Sequence, residues 1–270
     1  MNISQLSIVN MKNTLSFSHD EQLERLAQYK AAIQKNPSDF TSKFKYGVLL
    51  YELAYYKEAA DILCSIVKLG PNEFEAYHMA CKALNHMGNY KDALTVAKLG
   101  LDKFPLKIEL LQEFAHALYL QGNMDQAVET LQLAVDKSPE NMSSHIALAS
   151  LYIWEMNYEQ ALDILHNALT INENSYAVHN TIGAIYVRMG DSITASEYFL
   201  KSARIKPNFP EPLLNLAGCF EEMDKANLAL QFYDEVIKFD PTNVMALCAK
   251  ASLMCNMGMA QEALPDYEKA

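Results

Sequence analysis

Apolar and polar residues alternate along this chain with the period of an α-helix, in pairs of short stretches. From residue 108 to 120, four apolar residues follow the spacing i, i+3, i+4 and i+7: Leu111, Phe114, Ala115 and Leu118. This spacing places them on one face of a helix. The next stretch has a second apolar face, made by Ala127, Leu131 and Ala134. The pattern predicts two helices joined by a short turn.

The same pair of stretches recurs every 34 residues. A frame with position 1 at Phe40 predicts repeats at 40–73, 74–107, 108–141, 142–175, 176–209 and 210–243, and a truncated seventh at 244–270. Position 20 is alanine in all seven: Ala59, Ala93, Ala127, Ala161, Ala195, Ala229 and Ala263. Position 8 is always Gly, Ala or Cys. Because both positions are small, the two helices of a repeat are expected to approach closely there.

Glycine and proline mark the predicted helix ends. Position 15 is glycine in four repeats, as Gly88, Gly122, Gly190 and Gly258, and a left-handed cap is expected to end the first helix there. Position 32 is proline in the first six repeats except the fourth, which has Glu173. Since proline cannot continue a helix, it is expected to end the second one.

The pattern resembles the tetratricopeptide repeat, a 34-residue helix–turn–helix unit. The resemblance covers residues 40–270 and rests on the alanine, small-residue, glycine and proline positions. It implies an all-α fold, an α-solenoid whose stacked units form a right-handed superhelix. One unit alone buries too little apolar surface to offset the entropy of ordering its backbone, so the units are expected to stack.

The segments outside the full repeats carry separate predictions. Residues 1–17 are expected to be a flexible leader and residues 18–36 a capping helix, because Ser18 and Glu21 have capping-box spacing. The sequence stops at position 27 of the seventh repeat without a polar capping helix, which solenoids usually need. We therefore expect that the natural chain continues past Ala270; the alternative is a homo-oligomer that covers this end.

Composition narrows the classes of partner. The formal net charge of −11 repels nucleic acids and anionic membranes, and no apolar run is long enough to span a bilayer. A protein or peptide partner is expected, with no nucleic acid, membrane insertion or cofactor. The five cysteines are odd in number and include no Cys-x-x-Cys pair, which favours reduced thiols and a cytoplasmic location.

The resemblance also implies a binding surface. In the family, the first helices line a concave groove, chiefly through positions 2, 5, 6, 9, 12 and 13. Thirteen residues at these positions are predicted to hold a peptide: Glu75, His78, Lys82, His86, Gln112, His116, Tyr119, Ile146, Ser150, Trp154, Asn180, Arg188 and Asn215. Some members clamp the acidic tail of a chaperone with Lys, Asn and Arg at fixed positions. No window of this chain reproduces that set, which disfavours such a partner.

The single tryptophan, Trp154, has two interpretations. It is either an aromatic anchor for a partner, near Tyr119, Ile146 and Ile153, or an ordinary core residue under the turn of its own repeat.

The spacing of the histidines argues against a metal site, and the lack of known catalytic motifs in the sequence argues against an enzyme. His78, His86 and His116 lack the ligand spacing typical of metal sites, and His145 and His179, at position 4, are expected to be packed and hydrogen-bonded. No metal site is predicted. The sequence has no G-x-S-x-G, G-x-x-x-x-G-K-[ST], G-x-G-x-x-G or H-E-x-x-H motif, and we predict that the chain is not an enzyme.

These observations favour a scaffold that binds a peptide or helical segment of another protein in its groove. The alternative is the amino-terminal docking or regulatory region of a larger bacterial enzyme, such as a glycosyl-, methyl- or sulfotransferase. A helical repeat that binds RNA is a third interpretation, which the acidic composition opposes.

Overall fold

The structure, a computed structural model, describes residues 19–269, and every regular element in that range is an α-helix. There are 15 helices and no β-strand in this part of the chain, which confirms the prediction of an all-α repeat fold. The predicted leader, 1–17, and Ser18 of the predicted capping box lie outside the described residues.

The described chain divides into two compact units, residues 19–137 and 138–269, which we call the amino-terminal and carboxy-terminal halves. The amino-terminal half contains α1 (His19–Lys35), α2 (Phe40–Glu52), α3 (Tyr56–Val67), α4 (Phe74–His86), α5 (Tyr90–Lys103), α6 (Ile108–Leu120) and α7 (Met124–Lys137). Helix α1 packs against α2, and from α2 onward each helix packs against the next. The first helices of the pairs, α2, α4 and α6, also contact one another in order.

The carboxy-terminal half contains α8 (Met142–Trp154), α9 (Tyr158–Ile171), α10 (Tyr176–Arg188), α11 (Ser192–Ile205), α12 (Pro210–Glu222), α13 (Ala226–Phe239), α14 (Val244–Asn256) and α15 (Ala260–Lys269). Its first helices are α8, α10, α12 and α14. Consecutive helices pack against each other, and α10 also contacts both α8 and α12.

The alanines of position 20 form the centre of each pair, as the sequence predicts. All seven are at most 1% exposed. Where position 8 is glycine, the space is too small for any side chain. A Cβ atom on Gly47 would lie 2.7 Å from Cγ of Leu63, and one on Gly183 would lie 2.7 Å from Cε1 of Phe199. The small residues therefore set how closely the two helices of a repeat approach.

The turn after each first helix has the same backbone in all seven repeats, although only four carry glycine. Position 15 has positive φ throughout, including Ala54 (62°), Met156 (56°) and Asp224 (58°). The next residue donates its N–H to the helix five residues back, as Asn89 does to Leu84 O at 2.9 Å. The same hydrogen-bonded turn therefore holds non-glycine residues in a left-handed conformation that costs an L-residue about 1–2 kcal/mol.

Proline is not required to end the second helix. Helix α9, the one followed by Glu173 at position 32, ends at Ile171, at the same frame position as α5 and α7. What the position-32 residue contributes is its main-chain carbonyl. It accepts a hydrogen bond from position 4 of the next repeat: Tyr77 Oη to Pro71 O at 3.3 Å, and the Nε2 atoms of His145 and His179 to the carbonyls of Pro139 and Glu173 at 2.8 Å. Both histidines are packed and hydrogen-bonded, as predicted.

Candidate functional site

The candidate surface is the side of the first helices that faces solvent, and we call it the inner face of each half. It carries frame positions 2, 5, 6, 9, 12 and 13, at which residue type varies from repeat to repeat. These positions are not required for the contact between position 8 and position 20. All of these side chains except Phe44, Met79, Asn85, Ala147 and Asn180 are half-buried or exposed, so most of them are available for other chemistry.

A polar cluster occupies the inner face of the amino-terminal half. The side-chain amide of Asn85, on α4, donates to the main-chain carbonyl of Glu113 at 3.1 Å and to its carboxylate at 2.8 Å. Nε2 of His78 lies 3.8 Å from the same carboxylate. Asn85 is buried, and the side chains of His78 and Glu113 are 21% and 15% exposed. The cluster thus joins α4 to α6 across two repeats.

Burial determines the charges of this cluster. Desolvation, together with the nearby charge of Lys82, lowers the pKa of His78 to about 4. Burial and the neighbouring His86 lower the pKa of His116, while burial raises the pKa of Glu113. At neutral pH His78 and His116 are therefore uncharged, and Lys82 is the basic group beside Glu113.

Three rings come together beside this cluster, and we call Tyr51, Tyr56 and His86 the ring triad. The centroid of Tyr51 is 5.4 Å from that of Tyr56 and 5.3 Å from that of His86, and the Tyr56 and His86 rings are stacked at 4.8 Å. Nζ of Lys82 lies 5.2 Å from the centroid of Tyr51. Burial and the negative charge of Glu113 raise the pKa of Tyr51 to about 12.

Of the ring triad, His86 was predicted as a groove residue from sequence, and the two tyrosines were not. Tyr51 is at position 12, a family groove position, whereas Tyr56 belongs to the second helix. Of the other predicted residues in this half, Glu75, Gln112, His116 and Tyr119 are half-buried on α4 and α6.

The inner face of the carboxy-terminal half has a chain of amides instead. Asn215 Nδ2 donates to Asn180 Oδ1 at 3.3 Å, and Asn180 Nδ2 donates to Glu211 Oε1 at 2.9 Å. Asn180 is only 9% exposed, so little of its side chain reaches solvent. The chain of amides links α10 to α12, and Arg188 lies at the end of α10.

Helix α8 presents the apolar part of this inner face. Trp154 is 43% exposed, which excludes its interpretation as a core residue. Ile146 and Ile153 are half-buried and pack against the core, and Ser150 donates its hydroxyl to the carbonyl of Ile146 at 2.8 Å. Trp154 therefore offers a large aromatic surface at a groove position.

Position 9 differs between the two halves. It is Val48, Lys82 and His116 in the first three repeats, but Ser150, Ala184, Gly218 and Ser252 in the last four. A Cβ atom on Gly218 would meet no atom within 4 Å. The inner face of the carboxy-terminal half is thus open at this position.

Residues 19–269 contain no group of three or more His, Cys, Asp or Glu side chains placed to hold a metal ion. Within the same range, no helix has the length and apolar character needed to cross a bilayer. All five cysteines are free thiols.

Comparisons with known proteins agree with the repeated helix pairs of this structure. Family models of the tetratricopeptide repeat match residues 176–209, which is the fifth repeat of the frame, and residues 232–264. No curated protein matches the chain.

Solved structures share the fold at low sequence identity. The crystal structure of yeast Tom70 aligns with a TM-score of 0.72 and 16% identity over 93% of this chain and 54% of that one. A thermophilic TPR protein of Thermus thermophilus aligns at 0.54 and 22% over 68% of this chain and 100% of its own. Pseudomonas aeruginosa PilF aligns at 0.53 and 20% over 72% and 88%.

Residues 176–209 and 232–264 are thus tetratricopeptide repeats, and the chain has an α-solenoid fold. Repeats of this family are protein–protein interaction modules, and an interaction scaffold is the class of function that they imply.

Proposed function

We propose that the chain is a non-enzymatic adaptor that binds a peptide or helical segment of another protein along its inner faces. One observation carries the proposal: position 20 is always alanine, position 8 is always small and both are buried, while the inner-face positions vary in residue type and most are at least partly exposed. Variation of the inner-face residues leaves the helix pairing intact, so they can serve recognition. The thirteen predicted groove residues are the candidate contacts.

The two inner faces supply different kinds of contact. The amino-terminal half offers Lys82, Glu113 and aromatic rings, which suit a charged segment. The carboxy-terminal half offers Trp154 beside small side chains, which suit an apolar side chain and a closely approaching backbone. Because helix stacking already orders both surfaces, the partner bears most of the entropic cost of binding.

A pull-down with the intact chain tests the proposal. Trp154→Ala should reduce the amount of the retained protein, and Lys82→Glu should alter its retention at low salt. The matched charge reversal Lys98→Glu, on the exposed side of α5, should have no effect. Equal retention by all three variants would exclude the inner faces as the binding surface.

The location of the protein in the cell and its self-association are still predictions. A cytoplasmic location would be contradicted by recovery of the native protein in a secreted fraction. Self-association would be contradicted by a single monomeric species in sedimentation equilibrium.

A further inference from the structure

The ring triad has the geometry of a site for a cation. Its rings come from three successive helices, α2, α3 and α4, and their centroids lie within 5.4 Å of one another. Tyr51 and Tyr56 are half-buried and His86 is exposed, so the triad borders solvent. Cations are attracted to aromatic faces within about 6 Å of the centroid. The Lys82 ammonium, 5.2 Å from the centroid of Tyr51, already occupies one such face.

A carboxylate lies beside these rings. Glu113 accepts a hydrogen bond from Asn85. The negative charge of Glu113 helps to raise the pKa of Tyr51, and the positive charge of Lys82 acts to lower the pKa of Glu113. Aromatic faces and a largely buried carboxylate therefore border the same place. This combination attracts a positive group that can leave water at least in part.

One hydrogen-bond acceptor at the same place has no donor within the described part of the chain. Oδ1 of Asn85 is buried and has no hydrogen-bond partner among residues 19–269. An acceptor in that state is unfavourable unless a donor reaches it. A guanidinium group carries five N–H donors in one plane, and that plane can also stack on an aromatic ring.

The charges on this inner face agree with a basic ligand. Four acidic and two basic side chains occupy its groove positions: Glu52, Glu75, Glu109, Glu113, Lys45 and Lys82. His78 and His116 add no charge at neutral pH because burial disfavours their protonated forms. The balance at these groove positions is negative, and the whole chain is acidic as well.

We propose that the ring triad, together with Glu113 and Asn85, accepts an arginine side chain of the partner segment. The guanidinium lies against the rings in place of the Lys82 ammonium and donates to the Glu113 carboxylate and to Asn85 Oδ1. This assignment rests on the proposed function and adds the chemistry of one partner residue to it.

The test uses two small probes on the full chain. N-acetyl-arginine amide carries the cation, and N-acetyl-citrulline amide has nearly the same shape without charge. In a chain with 13C-labelled His and Tyr rings, the arginine probe should shift the signals of His86 and Tyr56 saturably, and the citrulline probe should not. Glu113→Gln should weaken arginine binding about fivefold or more, the equivalent of about 1 kcal/mol.

Two further variants make the test decisive. Glu129→Gln, on the exposed side of α7, removes the same charge away from the inner face and should leave probe binding unchanged. His86→Ala removes one exposed ring and should weaken binding even if Glu113→Gln fails to fold. The proposal is overturned if arginine and citrulline act alike, if no saturable shift occurs, or if both binding-site variants bind as the parent does. A partner retained through the inner face despite that result would leave the proposed function standing.

Discussion

The two halves of the molecule use the same packing but present different inner faces. In both, position 20 is a buried alanine and position 15 is left-handed. Residues 40–120 display a histidine–carboxylate cluster and the ring triad, whereas residues 142–256 display a chain of amides, small side chains and Trp154. The comparison shows that helix pairing depends on a few positions and leaves the remaining surface free to diverge.

The largest expected difference between the halves is in their response to acid. The folded state holds His78 at a pKa of about 4, below its unfolded value of about 6.5. Protonation therefore favours the unfolded chain, and stability falls as the pH drops from about 6.5 to about 4, by about 2–3 kcal/mol in total. His116 acts in the same direction, and Glu113, with its raised pKa, offsets part of the loss.

Urea unfolding at pH 7 and pH 4 checks this expectation. His78→Gln should make the difference in unfolding free energy between the two pH values smaller by about 2–3 kcal/mol. A matched His→Gln change at exposed His166, on α9, is the control for the loss of an imidazole outside this cluster. An unchanged difference in His78→Gln would show that acid acts elsewhere.

The second prediction concerns Trp154, the proposed aromatic anchor of the carboxy-terminal half. Trp154→Ala should weaken binding of the partner by about 2 kcal/mol, or roughly 30-fold, because exposed aromatic residues at interfaces contribute disproportionately. Ile171→Ala provides the control, since Ile171 is 50% exposed at the end of a second helix. Titration calorimetry with the retained partner measures both variants, and equal affinities would remove Trp154 from the interface.

A third prediction separates packing positions from inner-face positions within one half. Gly183→Ala should lower the unfolding free energy by about 1–2 kcal/mol, since the new methyl group would lie 2.7 Å from Phe199. Gly218→Ala, on another first helix, should raise it by up to about 1 kcal/mol, because its Cβ meets open space and alanine favours helix. Urea denaturation measures the unfolding free energy of both variants. If the two substitutions change it in the same direction, the account is contradicted.

The smallest effects are expected at position 15, where the two halves agree. Met156→Gly should stabilise the fold by about 0.5–1 kcal/mol, since glycine adopts a φ of 56° without the steric penalty of an L-residue. Gly122→Ala, at a φ of 81°, should destabilise it by about 1 kcal/mol. The melting temperatures of the two variants should shift in opposite directions. A shift in the same direction would contradict the conclusion that position 15 has the same left-handed backbone in every repeat.

The packing was predictable from sequence because it repeats. The alanines stand at one frame position, and seven copies make a signal that single residues such as Ala59 could not provide. The left-handed turns at Ala54, Met156 and Asp224 were missed, because alanine and methionine rarely adopt positive φ and aspartate does so only in some contexts.

The candidate site was less predictable because it depends on contacts between repeats. The groove positions came from the family resemblance, and His86 and Trp154 were found in that way. The ring triad joins side chains of two repeats whose meeting depends on side-chain direction. Tyr56, on a second helix, lies outside any groove pattern. The bond from Asn85 to Glu113 likewise spans 28 residues and has no sequence signature.

Site-specific cross-linking to the retained partner tests the central claim most directly. A photoreactive residue would replace Gln112 or Ser150 on the inner faces, or Lys98 or Lys201 on exposed sides of second helices. The account predicts covalent capture of the partner from positions 112 and 150 and none from 98 and 201. Capture from the second helices alone would contradict it.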